Sequence, residues 1–185
     1  MSRRDAVSEA APSRHAPDAA PAPLGTATAS HEWRVRTANR DDVEAVAAAV
    51  RELLAELDGT PSALPAMQAA ARTLIDSPWA GTVLVAEAEA EGELVGVLGA
   101  SWQMAIHVPG SYALIQDLWV RPGWRDRAVG GSLLEALFEL ARERRFERVE
   151  VGLPRESFAR FAATESFYVG NGFTPNGPRM RRLLS

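Results

Sequence analysis

A strand that runs directly into an arginine- and glycine-rich turn, and from there into a long helix, constrains this chain most. The strand-like run is Leu114-Ile115-Gln116-Asp117-Leu118-Trp119-Val120, the turn spans residues 121–131, and the helix reads from Gly130 to Arg145. A helix N-terminus entered this way offers backbone N–H groups without partners and the positive end of the helix dipole. That is a setting for phosphate or pyrophosphate. Gly130 and Gly131 carry no side chain, so a ligand can come close to their backbone. Arg121, Arg125 and Arg127 add positive charge, and Asp126 opposes part of it. Ala128 suits such a turn without cost only if its φ stays negative. The plainer reading is a helix start whose glycines merely shape a turn.

The rest of the chain supplies the layers. Trp33-Arg34-Val35-Arg36 alternates as a short strand. Asp41 is placed to cap a helix with the apolar stripe Val43, Val46, Ala47, Val50, Leu53, Leu54 and Leu57, which Gly59 and Pro61 stop. A second helix is expected over 62–75. Strands follow at 81–88 and 93–104, joined near Gly92, and Pro109-Gly110-Ser111 is expected to make the hairpin into a strand over 113–120. After the long helix come a strand at 148–151, a helix at 158–169 and closing strands within 173–184. Residues 1–32 are rich in Ala, Pro and Ser, with scarcely any large apolar side chain. They cannot bury enough surface to offset ordering and are expected to be a disordered tail. The folded domain is then 33–185, in the order β-α-α-β-β-β-α-β-α-β.

Further along stands Phe167-Tyr168-Val169-Gly170-Asn171-Gly172-Phe173. Together with Arg125-Asp126-Arg127-Ala128-Val129-Gly130 it resembles the motifs of the GCN5-related N-acetyltransferases, the GNAT superfamily. The family's turn reads Gln/Arg-x-x-Gly-x-Gly/Ala. Arg125 and Gly130 match it, Ala128 replaces the middle glycine, and Asp126 stands where glycine is common. The second motif fits Phe-Tyr-x-x-x-Gly-Phe at every fixed position. The resemblance implies the GNAT fold, an α/β (α+β) arrangement whose mixed, mostly antiparallel central sheet is flanked by helices in the element order just given.

It also implies a chemistry, acetyl transfer from the cosubstrate acetyl-CoA to an amine. By resemblance, Leu118, Trp119 and Val120 lie on a splayed strand whose backbone bonds the pantetheine arm. Residues Arg125, Asp126, Arg127, Ala128, Val129, Gly130 and Gly131 hold the pyrophosphate, and Tyr168 is the general acid for the departing thiolate. A free tyrosine near pKa 10 facing a thiol near 8.5 is mismatched by roughly 2 kcal/mol, a gap a dry pocket narrows. An acceptor amine of pKa about 10.4 must lose a proton, at a cost of about 4.6 kcal/mol at pH 7. Asp117 and Glu150 match positions where family members carry acids, and either could instead be an ordinary strand residue. His107 is a weaker candidate. Phe161 stands where the family usually has asparagine, and the connection from Val151 to Tyr168 is longer than usual.

Composition narrows the alternatives. There is no cysteine, which removes disulfides, thiolate metal sites and a cysteine acyl-enzyme. All 20 basic residues are arginine, so neither a Walker-type loop nor Schiff-base chemistry is available. The three histidines are scattered and no metal site is expected. A net charge of −4 does not suggest nucleic acid or an anionic membrane as partner. No apolar run approaches the roughly 18 residues of a membrane span and no secretory signal is evident, so a cytoplasmic protein is expected. Glu52, Glu56 and Asp58 could attract a cationic acceptor, although a solvated helix face explains them as well. Two further readings compete with the enzyme, a non-catalytic acyl-CoA-binding or regulatory GNAT and an interaction module led by the tail. A homodimer is suggested by family habit alone.

Overall fold

The computed structural model describes residues 32–90, 92–177 and 182. Apart from Glu32, the expected tail lies outside the described residues. Five strands form one sheet in the order β1-β2-β3-β4-β5: β1 Trp33–Thr37, β2 Gly81–Ala88, β3 Leu94–Ala105, β4 Val108–Val120 and β5 Val149–Val151. The first three pairings are antiparallel and β4 meets β5 in parallel. Helices α1 Val43–Glu56 and α2 Leu64–Ile75 precede β2, α3 Val129–Glu143 follows β4, and α4 Phe161–Gly170 follows β5. Among the described residues no helix is long and apolar enough to cross a membrane.

Both faces of the sheet are covered, which is why β2 and β3 read as nearly unbroken apolar runs rather than alternating ones. On one face Leu133, Leu134 and Leu137 of α3 are fully buried against Leu84, Val95, Leu98 and Ile115. On the other, Val46 and Ala49 of α1 pack against Val83, Val85, Val97 and Trp119. Gly96 is required at the first interface: a Cβ there would lie 2.8 Å from Val129 Cγ1 and 2.9 Å from Leu133 Cδ1.

The last helix starts at Phe161 and not at Phe158, and three further departures from expectation each have a local reason. Asp41 is exposed and does not cap α1. The capping box belongs to Asn39, whose side chain accepts from the Asp41 N–H at 2.8 Å, and to Asp42, which accepts from the Asn39 N–H at 2.7 Å. Asp42 is buried because the Arg36 guanidinium grips it with two bonds, at 2.7 and 2.8 Å. The β3–β4 hairpin closes at Ile106-His107, since the strands stay paired out to Ala105 and Val108; Gly110 therefore lies inside β4, at φ 125°. Finally, residues 173–177 form no strand. The remainder of the expected closing strands, Arg182 aside, lies outside the described residues.

Candidate functional site

Two irregularities in β4 create the site. The β3 pairing shifts from Gly99↔Asp117 to Ala100↔Ile115, leaving Gln116 as a bulged, exposed residue. The parallel pairing with β5 ends at Ile115↔Val151, while β4 runs on to Val120. Beyond that point the strands no longer pair, and a cleft of about 550 Å³ opens between the end of β4, the segment after β5, the end of α1, the start of α3 and α4. Leu118, Trp119 and Val120 lie on this stretch of β4 beyond the β5 pairing, and all three line the cleft.

The turn before α3 lines it as well. Asp126 and Ala128 both have positive φ, 62° and 64°, on either side of Arg127. Left-handed residues in a turn gather backbone N–H groups into a concavity suited to an anion. Ala128 thus pays the cost that a Cβ imposes at positive φ. The first intrahelical bond of α3 runs from the Ser132 N–H to the Ala128 carbonyl at 2.9 Å. The N–H groups of Val129, Gly130 and Gly131 precede it, and these residues border the cleft.

The arginines divide. Arg125 lines the cleft, donating from Nε to the Val120 carbonyl at 3.0 Å and from Nη2 to Glu56. It therefore ties the end of β4 to the end of α1. Arg127 turns to Glu32 at 3.1 Å and lies over the Trp124 ring at 5.3 Å. Arg121 bonds the Leu94 carbonyl and Glu93. Neither of these last two borders the cleft. Glu56, which could be read as a solvated helix residue, is part of the wall; its place one turn beyond Leu53 on the apolar stripe is the signal that would have found it.

The second motif acquires a physical meaning here. Gly172 adopts φ 84° just past α4, and the Phe173 N–H then bonds back to the Tyr168 carbonyl at 3.0 Å. This is a glycine-stopped helix end. The reversal lays Phe173 against Tyr168, ring centroids 5.3 Å apart, while Phe167 packs on the other side at 5.2 Å. Tyr168 is 7% exposed, lines the cleft, and has no hydrogen-bond partner for its hydroxyl among the described residues. Burial pushes its pKa well above the ordinary value of 10.0.

The two carboxylate candidates are not brought together with it. Asp117 alternates with Leu118 and so faces the α1 side of the sheet, its Oδ2 3.4 Å from where a Cβ on Gly99 would stand. It has no polar partner among the described residues, and burial raises its pKa above 3.8. Glu150 pairs with Arg148 at 3.3 Å, accepts from Asn176 at 3.4 Å, and is not part of the cleft wall. His107 sits exposed in the hairpin turn. Phe161 is the first residue of α4 and does not border the cleft, whereas Phe158, Arg160 and Thr164, which the sequence did not single out, do.

A mostly antiparallel five-stranded sheet with one parallel pair, flanked by helices in this order, is the GNAT fold. The acetyltransferase (GNAT) family matches residues 47–162, and the chain belongs to that family. The Phe167–Phe173 motif lies beyond the matched segment. No curated protein matches the chain in sequence. Among solved structures, a candidate acetyltransferase from Arthrobacter sp. FB24 is 26% identical with a TM-score of 0.67, covering 82% of this chain and 96% of its own. An aminoglycoside acetyltransferase from an uncultured soil metagenomic sample is 22% identical, TM-score 0.65, with 83% and 99% covered. The enzyme AAC(6')-Iy, solved with the bisubstrate analog CoA-S-monomethyl-acetylneamine, is 15% identical, TM-score 0.67, with 83% and 98% covered.

Proposed function

We propose that this protein is an N-acetyltransferase that moves an acetyl group from acetyl-CoA directly to an amine. The observation that carries the reading is the cleft beyond the β4–β5 pairing, with first-turn N–H groups of α3 on one wall and the Tyr168 side chain on another. The residues fit the cosubstrate. Val129, Gly130 and Gly131 offer N–H donors to a pyrophosphate, and the unpaired end of β4 offers backbone groups to a pantetheine amide. Acetyl-CoA supplies an activated thioester carbonyl.

The chain's own groups then have three tasks. The cleft holds the amine against the carbonyl carbon, so that the N–C bond forms as the C–S bond breaks. A carboxylate, Asp117 or Glu150, or water takes the proton the amine sheds. Tyr168 returns a proton to the leaving sulfur. Its desolvated site keeps the phenol neutral but also makes it a weaker acid, so donation depends on the same dry cleft disfavouring the thiolate as the C–S bond breaks. The reading is supported by family membership and by this arrangement, and is tested by calorimetric titration with acetyl-CoA and CoA followed by an amine screen. Micromolar binding with turnover is expected. Binding without turnover on any amine would leave a non-catalytic acyl-CoA-binding protein, for which Asp126, Ala128 and Phe161 are the departures that speak.

A further inference from the structure

We propose that the acceptor is a small monoamine with an apolar body, not a polycation; this rests on the acetyltransferase reading above. The charges in the cleft wall carry the argument. Its carboxylates are Glu56 and Asp126 and its cations are Arg125 and Arg160. Glu56 is already engaged by Arg125, and Asp126 lies in the turn assigned to the phosphates. Arg160 has no ion-pair partner among the described residues. Among the described residues no carboxylate of the wall is therefore left to receive a second or third ammonium group, and Arg160 repels one. A buried, unpaired ammonium is strongly penalised, and an unmatched like charge discriminates against a partner as effectively as a good contact selects one.

Apart from Gln116, Thr164 and the Tyr168 hydroxyl, the remaining wall is apolar. Leu53 and Leu57 come from the end of α1, and Leu153, Pro154 and Phe158 from the segment between β5 and α4. Leu153 is 41% exposed while bordering the cleft, a large apolar side chain at the mouth with room for an apolar ligand. Such a wall also acts on the reacting group. Desolvation disfavours the ammonium form, so an amine held there loses its proton more readily and depends less on a strong base. The reaction balances as a simple exchange: the amine nitrogen gains the acetyl carbon, the thioester C–S bond breaks, and the proton lost by nitrogen is matched by one gained on sulfur. The cleft is of ordinary small-ligand size and must also hold the pantetheine arm, which limits the acceptor's bulk.

The test uses the full chain with acetyl-CoA and follows thiol release with 2-phenylethylamine, spermidine and kanamycin as acceptors. The expected result is a kcat/KM for 2-phenylethylamine at least 100-fold above both polycations. Leu153→Glu, a change at an exposed position, should narrow that ratio at least tenfold by admitting an ammonium at the mouth. Preferred acetylation of spermidine or kanamycin by the wild type would overturn the inference and leave the acetyltransferase reading intact. An unchanged ratio in Leu153→Glu would overturn it too. Acetyl-CoA binding with transfer to none of the three and to no other amine would sink both readings together.

Discussion

Phe167 stands over Gly130: a Cβ built on that glycine would lie 3.1 Å from Phe167 Cζ and 3.3 Å from Cε2. The start of α3 is thus fitted against α4, and the glycine is needed for packing as well as for approach by a ligand. Gly131 is different, since the nearest atom to its virtual Cβ is Asn171 Oδ1 at 3.9 Å. Two neighbouring glycines therefore separate fold from function. Gly131→Glu is expected to keep its melting temperature within about 2 °C while CoA affinity falls at least tenfold, through a negative charge beside the phosphates. Gly130→Glu should lose affinity and also about 1–3 kcal/mol of stability by overpacking against Phe167. Thermal unfolding and calorimetry on both variants check the pair; equal loss of stability in the two would refute the distinction.

Tyr168→Phe removes a hydroxyl on a residue that lines the cleft and has no hydrogen-bond partner for it among the described residues. Folding at neutral pH should hardly change, CoA binding should persist, and kcat should fall by about 10²-fold or more, the usual range for a lost general acid. The raised pKa adds a second signature. A tyrosine whose folded pKa lies above 10.0 contributes stability that is intact below pH 10 and is lost as pH rises further, by up to about 1.4 kcal/mol per pH unit. The wild type should therefore lose stability above pH 10 more steeply than Tyr168→Phe. Parallel alkaline unfolding curves for the two proteins would remove that assignment.

What was legible in the sequence follows from range. The strand–turn–helix passage and the Phe-Tyr-x-x-x-Gly-Phe run are local, and each local signal found its element. The Gly172 reversal and the α3 start are encoded by the residues that perform them. The capping box on the turn just before α1 was missed because the grip of Arg36 on Asp42 joins a strand to that turn, and propensity alone favours Asp41 as readily. The hairpin turn was misplaced because two long strands hold their pairing past the Pro-Gly signal. Glu56 in the cleft wall required knowing that Arg125, far along the chain, would fold back onto the end of α1. Arg160 and Leu153 sit in an irregular connection, where no periodicity announces which side chain will face a cleft.

Asp117 is half-buried without a polar partner among the described residues, and desolvation disfavours its carboxylate form in the fold. The sign of the pH effect follows. With the folded pKa above 3.8, stability falls as pH rises from 3.8 through that pKa, and a fixed penalty remains beyond it. Asp117→Asn should lift the penalty and raise stability at pH 7 by about 1 kcal/mol, with the advantage gone near pH 3. If the carboxylate is the proton acceptor, kcat should fall at least tenfold in the same variant, taking the acidic limb of the pH–rate profile with it. Stability and activity moving in opposite directions is the informative result. Full activity in Asp117→Asn would pass the role to Glu150 or to water.

Ala128 is exposed and holds φ 64° at the N-cap of α3, where a Cβ costs roughly 1–2 kcal/mol. Glycine would relieve that strain but brings more unfolded-state freedom, worth about 0.4–1 kcal/mol in the other direction. The balance favours glycine, so Ala128→Gly should stabilise the protein by about 0.5–1 kcal/mol, read as a rise of about 2–3 °C in melting temperature. The N–H groups of Val129, Gly130 and Gly131 are untouched by the change, and the turn already has the shape a glycine would adopt. CoA affinity should therefore stay within about twofold of wild type, because the penalty falls on folding and not on binding. A gain in affinity of tenfold or more would show instead that the alanine methyl obstructs the phosphates, and that the turn binds less well than its backbone allows.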